Sequence, residues 1–153
     1  MLKYVNTLVS FSEVPDEISL CIEISNCPCH CKGCHSSYLA EDIGNVLNLQ
    51  ALTSLIDSNS GITCVCIMGG DANSSKVDDI AQDIKEYYPK LKVAWYSGKQ
   101  ELSKDINLEF FDFIKLGPYI EELGPLNSKT TNQRFYKVEN NKLIDITYKF
   151  QKL

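Results

Sequence analysis

The stretch Cys27-Pro28-Cys29-His30-Cys31-Lys32-Gly33-Cys34-His35 holds four of the chain's seven cysteines and both of its histidines. A loop rich in Pro, Gly, Lys and His is a poor core segment, so burial as small apolar groups does not account for these thiols. An odd number of cysteines and no secretory leader argue against a disulfide framework. Metal binding is the leading reading, and spacing bears on which metal. Cys31-x2-Cys34 alone is a zinc half-site that needs a second pair. Cys64 and Cys66 are the only downstream thiols, and their spacing puts both on one side of a strand. The other subset is Cys27, Cys31 and Cys34, a Cys-x3-Cys-x2-Cys triad in one compact loop. Three thiolates wrapped this tightly suit a cubane iron–sulfur cluster without a fourth protein ligand. Such an iron is open to a small molecule bearing an amine and a carboxylate, much as a catalytic zinc keeps an open position. Cys29 is read as a spectator thiol, and His30 and His35 as neighbours rather than iron ligands.

Outward from this stretch the pattern is strand and helix in turn. Ile18, Leu20, Ile22 and Ile24 alternate with Ser19, Cys21 and Glu23, which predicts a strand leading into the cysteine loop, with Cys21 a plain core thiol. Tyr4 to Phe11 reads as an earlier strand, followed by a turn at Pro15-Asp16. Asn48 caps a predicted helix to about Asp57, with Leu49, Leu52, Leu55 and Ile56 on one face. Ile62 to Met68 is a continuous apolar strand ending in Gly69-Gly70-Asp71, where two glycines permit close approach of backbone to a ligand. Ser74 or Ser75 caps a second helix with a stripe of Val77, Ile80, Ala81, Ile84 and Tyr87, stopped by Pro89. Lys92 to Tyr96 is a further strand, ending at Ser97-Gly98, with Trp95 read as a core aromatic.

A short helix is predicted over Gln100 to Lys104 and a strand over Asp112 to Leu116, closed by Gly117-Pro118. Tyr119 to Gln133 is turn chemistry throughout and reads as a surface for substrate or partner. Phe135 to Val138 and Leu143 to Tyr148 form a hairpin around Asn140-Asn141. The alternation implies a parallel sheet with right-handed crossovers, and its C-terminal strand edge is where ligands bind. Five or so strands are too few for an eight-stranded barrel. The expected fold is one α/β domain, residues 1–153: a partial, open parallel β/α barrel with a C-terminal β-hairpin.

Composition narrows the class. The chain has 153 residues, 44% hydrophobic and 23% charged, with a net charge of −5. Lysines are scattered and Arg134 is the only arginine, so no basic stripe exists for nucleic acid. No apolar run is long enough to span a membrane. Unpaired cysteines without a leader point to a reducing cytoplasm. Arg134 is placed to bind a partner carboxylate or to pair with a surface Asp.

Cys-x3-Cys-x2-Cys after an apolar strand resembles the signature of radical S-adenosylmethionine enzymes. The closer likeness is to the small activating proteins of anaerobic ribonucleotide reductases, in which Gly precedes the last cysteine, as Gly33 does here. Three later segments extend it. Met68-Gly69-Gly70-Asp71 is similar to the Gly-Gly-Glu-Pro turn that holds the cofactor's amino group. Ala94-Trp95-Tyr96-Ser97-Gly98 is similar to a Trp-x-Tyr-Thr/Ser-Gly strand end, and Asn132-Gln133-Arg134 to a late Ser-Asn-Gln-Arg segment. The likeness runs from about Ser19 to Arg134. Asp71 and Ala72 depart from the family's Glu and Pro; Asp keeps the carboxylate but is one methylene shorter.

The resemblance implies a 4Fe-4S cluster on Cys27, Cys31 and Cys34, and S-adenosyl-L-methionine seated by Gly33, Cys34, His35, Gly69, Gly70, Asp71 and Ser97. It implies reductive cleavage of that cofactor to a 5′-deoxyadenosyl radical. The radical's target is a glycine of a partner glycyl-radical enzyme, the anaerobic ribonucleotide reductase large chain, and the electron comes from a flavodoxin- or ferredoxin-type donor. No separate acid–base catalyst is needed, and none is evident. The competing readings are the same chemistry on another protein, peptide or small molecule, and a non-catalytic zinc-binding interaction module.

Overall fold

The computed structural model describes residues 2–27 and 41–151. Its frame is one eight-stranded sheet. In chain order the strands are β1 (Lys3–Ser10), β2 (Ser19–Ile24), β3 (Asn45–Val46), β4 (Cys64–Met68), β5 (Lys92–Tyr96), β6 (Phe113–Leu116), β7 (Arg134–Glu139) and β8 (Lys142–Asp145). They lie in the order β3-β1-β2-β4-β5-β6-β7-β8, and the sheet is open. β2, β4, β5 and β6 are parallel neighbours, and Cys21, Cys66 and Ala94 stand in one row across the first three. β1 pairs antiparallel with β2, and β7 with β6. The sheet is therefore mixed and has more strands than the five or so counted from sequence. The short connections from β1 to β2 and from β7 to β8 permit antiparallel return, whereas the parallel pairs need crossovers.

Side-chain alternation splits the core in two. Leu20, Ile22, Ile24, Val65, Ile67, Val93, Trp95 and Ile114 face one side. Helices α1 (Leu49–Asp57) and α2 (Ser74–Tyr87) cover that side with Leu52, Ile56, Val77, Ile80, Ala81 and Ile84. Cys21, Cys64, Cys66, Ala94, Phe113 and Phe135 face the other side, beneath Val14, Leu126 and Ile146. Phe135 centres this second layer, with ring centroids 4.9 Å from Phe150, 5.8 Å from Phe113 and 6.0 Å from Tyr96. Both helices lie on one face, so the crossovers coil one way, and the opposite face is roofed by irregular chain.

Local departures from the sequence reading have simple causes. Asn48 caps α1 as expected, accepting from the Ala51 N–H at 2.8 Å. Leu49, at the helix start, stays exposed. The residue at the cap position of α2 is Asn73, without a side-chain cap bond. Ser74 is turned instead toward Ser103 and Asp105 (2.7 and 3.0 Å), and Ser75 toward Asn73 (3.0 Å). Tyr87 is 55% exposed, and its neighbour Tyr88 takes the inward place, bonding the Asp57 carboxylate at 2.7 Å. Gln100 to Lys104 forms bends and turns, and a single 3-10 turn follows at Leu108–Phe110. The hairpin turns at Asn140 and Asn141, both at positive φ (52° and 59°), but β8 stops at Asp145. Thr147–Phe150 is a 3-10 turn that brings Phe150 onto Phe135.

The second layer fixes the state of three thiols. Cys21, Cys64 and Cys66 are fully buried. Burial pushes the Cys64 thiol up to about 12, and burial with the neighbouring Cys21 thiol raises Cys66 as well. The thiolate, the reactive form, is therefore disfavoured at Cys64 and Cys66. Alkylation of the folded protein at pH 8 followed by peptide mass spectrometry will leave Cys21, Cys64 and Cys66 unmodified. All three will label once the chain is unfolded in denaturant.

Candidate functional site

The site is built at the C-terminal ends of β2, β4 and β5. β2 delivers the chain to Ser25, whose N–H donates to the Lys3 carbonyl at 3.0 Å, and to Asn26 at φ +60°. The Asn26 N–H donates to the Glu41 carbonyl at 2.9 Å, which joins the described residues on either side of the cysteine-rich stretch. Cys27, half-buried, is the last described residue before that segment. Cys29, His30, Cys31, Gly33, Cys34 and His35 lie outside the described residues.

β4 ends in two glycines, each with its own reason to be glycine. Gly69 has φ +112°, and a Cβ there would stand 3.1 Å from the Ile24 carbonyl oxygen and 3.3 Å from Ile24 Cβ. Gly70 has φ +93°, and a Cβ would meet Val77 Cγ2 at 2.5 Å. The turn is held from β5: the Gly69 N–H donates to the Tyr96 carbonyl at 3.0 Å, and the Trp95 indole N–H donates to the Gly69 carbonyl at 2.7 Å. Trp95 is thus the core aromatic expected from sequence, and its one polar atom orients the Gly-Gly turn.

Asp71 and Ser97, both read as cofactor contacts, are brought together. The Ser97 hydroxyl donates to Asp71 Oδ1 at 2.5 Å, and the Gly98 N–H donates to Oδ2 at 2.8 Å. Ser97 is buried, and its own N–H donates to the Lys115 carbonyl at 2.9 Å. A carboxylate accepting charge-assisted bonds of this kind makes a strong tie, and here it joins the end of β4 to the end of β5. A cleft of about 150 Å³ lies between Ser25–Asn26 on one side and Ala72–Asn73 on the other, with the Lys3–Asp42 ion pair (3.3 Å) at its border.

Among the described residues no group of three or more His, Cys, Asp or Glu side chains could hold a metal ion. Cys64 and Cys66 share a strand face, as their spacing predicted, but that face is the core. Both are fully buried there. The donor set available to a metal is the 27–35 stretch itself, and thiolates there suit a cluster. Arg134 pairs with Asp145 (3.6 Å), the surface-Asp alternative. Asn132 donates to the Pro118 carbonyl at 3.1 Å, while its Oδ1 is buried without a hydrogen-bond partner among the described residues.

Sequence reasoning passed over Lys115. It is 8% exposed, on an otherwise apolar strand, and its ammonium donates to the carbonyls of Ser97 (3.0 Å) and Gly117 (2.9 Å). A lysine inside Phe113–Leu116 was the available signal, since a buried Lys is rare without a specific partner.

A family model described as a 4Fe-4S single cluster domain matches residues 18–142, from the start of β2 into β8. The match covers most of the chain, which belongs to that family and is an iron–sulfur protein. No curated protein and no solved structure matches it. Among the described residues no helix is long and apolar enough to cross a membrane.

The glycine constraints predict a specific cost. Gly70→Ala combines a left-handed φ with a 2.5 Å clash. It is expected to destabilise the fold by about 1–3 kcal/mol, read as a lower urea midpoint. Gly61→Ala, at φ +90° with no atom within 4 Å of the new Cβ, will cost less because only the backbone strain remains.

Proposed function

We propose that this iron–sulfur protein is a radical S-adenosylmethionine activating enzyme that places a glycyl radical on a partner anaerobic ribonucleoside-triphosphate reductase. The observation that carries the reading is the packing of Gly69 against Ile24. It sets the Gly-Gly-Asp turn beside the strand that feeds the cysteine triad, as a shared site for cluster and cofactor requires. The one-way coil of β2, α1, β4, α2, β5 and β6 supports a partial β/α barrel of the radical S-adenosylmethionine type.

Cys27, Cys31 and Cys34 would hold the cluster through three thiolates, leaving one iron for the amine and carboxylate of S-adenosyl-L-methionine. When bound, the cluster supplies the electron that splits the cofactor's sulfonium into methionine and a 5′-deoxyadenosyl radical. The chain's own part is binding and orientation. Gly69 and Gly70 present backbone without side chains, and each carbonyl has a second lone pair beyond the bond it accepts from Trp95 or Asn73. Those lone pairs suit an ammonium. Asp71 adds negative charge to the same turn while fixing Ser97 and Gly98. Gly33, Cys34 and His35 are assigned to the cofactor by their place in the loop. The electron donor is proposed to be a flavodoxin or ferredoxin.

The cysteine series tests the assignment. After anaerobic reconstitution, Cys27→Ala, Cys31→Ala and Cys34→Ala will each lose most of the iron and sulfide and all cofactor cleavage. Cys29→Ala will keep both. Cleavage of S-adenosylmethionine by Cys31→Ala would sink the triad.

A further inference from the structure

β1 leaves part of its outer edge open. Beyond it the only described strand is β3, and β3 reaches only Lys3 and Tyr4. The backbone direction along the rest of β1 follows from its inner neighbour. The Ile18 carbonyl accepts from the Thr63 and Cys64 N–H groups, so Ile18 and, by alternation, Leu20 and Ile22 turn their backbone groups toward β4. Ser19, Cys21 and Glu23 therefore turn theirs toward β1, where they stand opposite Ser10, Leu8 and Asn6. That leaves the N–H and C=O groups of Thr7 and Val9 directed away from the sheet, with no described strand to receive them.

Open edges are usually guarded by charge, by proline or by a very short strand. The far edge of this sheet is guarded: β8 is four residues long and carries Lys142 and Asp145. β1 is not. No charged residue and no proline occurs between Lys3 and Glu13, in a chain that is 23% charged. Leu8 and Val9 are 41% and 42% exposed, and Phe11, just past the strand end, is 73% exposed. Leu8 stands opposite Cys21 and extends the second face, while Val9 stands opposite Leu20 and extends the helix-covered face. Ser25, which leads toward the cysteine-rich stretch, bonds Lys3 at the other end of β1, so this edge is separate from the candidate site.

An edge strand can pair antiparallel with a copy of itself about a twofold axis, and such a contact closes. With the axis at Leu8, Leu8 meets its own copy. Thr7 and Val9, whose backbone groups point outward, then meet Val9 and Thr7 of the second copy as hydrogen-bonded pairs. Asn6 falls opposite Ser10, polar against polar. Charge also favours a second copy here. Two chains of net charge −5 repel, and along this edge they meet with no like charges opposed. We propose that β1 joins a second copy of the chain through Thr7, Leu8 and Val9, making one sheet continuous through both. Because β2 runs antiparallel to β1, the strands that carry the candidate site point opposite ways in the two copies. The pairing therefore covers neither site and sets them at opposite edges of the joined sheet. None of this depends on the radical-enzyme reading.

The test is sedimentation velocity on the anaerobically reconstituted full chain, from about 1 to 100 µM, with the melting temperature of each variant as the check on folding. The wild type is expected to reach twice the 17.3 kDa chain mass within that range. Leu8→Lys changes an exposed side chain and sets two ammonium groups against each other across the axis. It is expected to keep the melting temperature of the isolated chain and to weaken self-association about tenfold or more. Val9→Pro removes an outward N–H while leaving the bonds to β2, and is expected to weaken association similarly. If Val9→Pro does not fold, Leu8→Lys decides. Ile144→Lys, at an equally exposed position on the opposite edge strand, is expected to leave association unchanged. A monomer at about 100 µM, a dimer that folded Leu8→Lys retains, a dimer lost in Ile144→Lys, or growth beyond the dimer into open polymers each overturns the proposal.

Discussion

The constraint on which the candidate site depends is the approach of two strand ends. Gly69 lies so near the Ile24 carbonyl that a methyl group could enter only at 3.1 Å. This approach is what lets β4 deliver its turn against the base of the cysteine loop. It needs a residue without Cβ at φ +112°, and it needs something to hold the turn in place. Trp95 does the second, from inside the core, through one indole N–H. Remove that bond and a part-buried carbonyl loses its partner at the point where cofactor binding is proposed.

A second tie follows from the first. With the Gly-Gly turn fixed, Asp71 projects toward β5 and takes the Ser97 hydroxyl and the Gly98 N–H. The shorter Asp, in place of the Glu of the family it resembles, fits this short bridge. Three parallel strands thereby present their C-terminal ends as one linked edge: Ile24 to Gly69, Gly69 to Trp95 and Tyr96, and Asp71 to Ser97. On the opposite side of Ser97, Lys115 links that edge to β6 and the second face of the sheet. The small side chains Cys21, Cys66 and Ala94 form the floor of that face.

Much of this was legible in the sequence because the periods are clean. Ile18 to Ile24 alternates without a break, Ile62 to Met68 is apolar throughout, and Asn48 is a good cap. These residues obey local rules, so local reading found them. Cys21, Cys64 and Cys66 were also placed correctly, since a period of two sets the face. What could not be read was the pairing of elements distant in sequence. Nothing local says that Asp71 will meet Ser97, or that Glu13 will be carried over to Tyr96. Tyr87 and Tyr88 show the same limit at a helix end, where one residue of twist decides which ring is buried. The predicted helix at Gln100 to Lys104 failed because Ser103 and Asp105 are engaged with Ser74 of α2.

The central claim is that the 27–35 stretch and the Gly69–Asp71 turn form one cluster-and-cofactor site. The most direct measurement is the electron paramagnetic resonance spectrum of the anaerobically reconstituted, reduced protein, recorded with and without S-adenosyl-L-methionine, with products assayed in the same sample. The account predicts a reduced 4Fe-4S signal that changes when the cofactor is added, followed by 5′-deoxyadenosine and methionine in equal amounts. A colourless protein carrying zinc, or a cluster signal indifferent to the cofactor with no products formed, would contradict it.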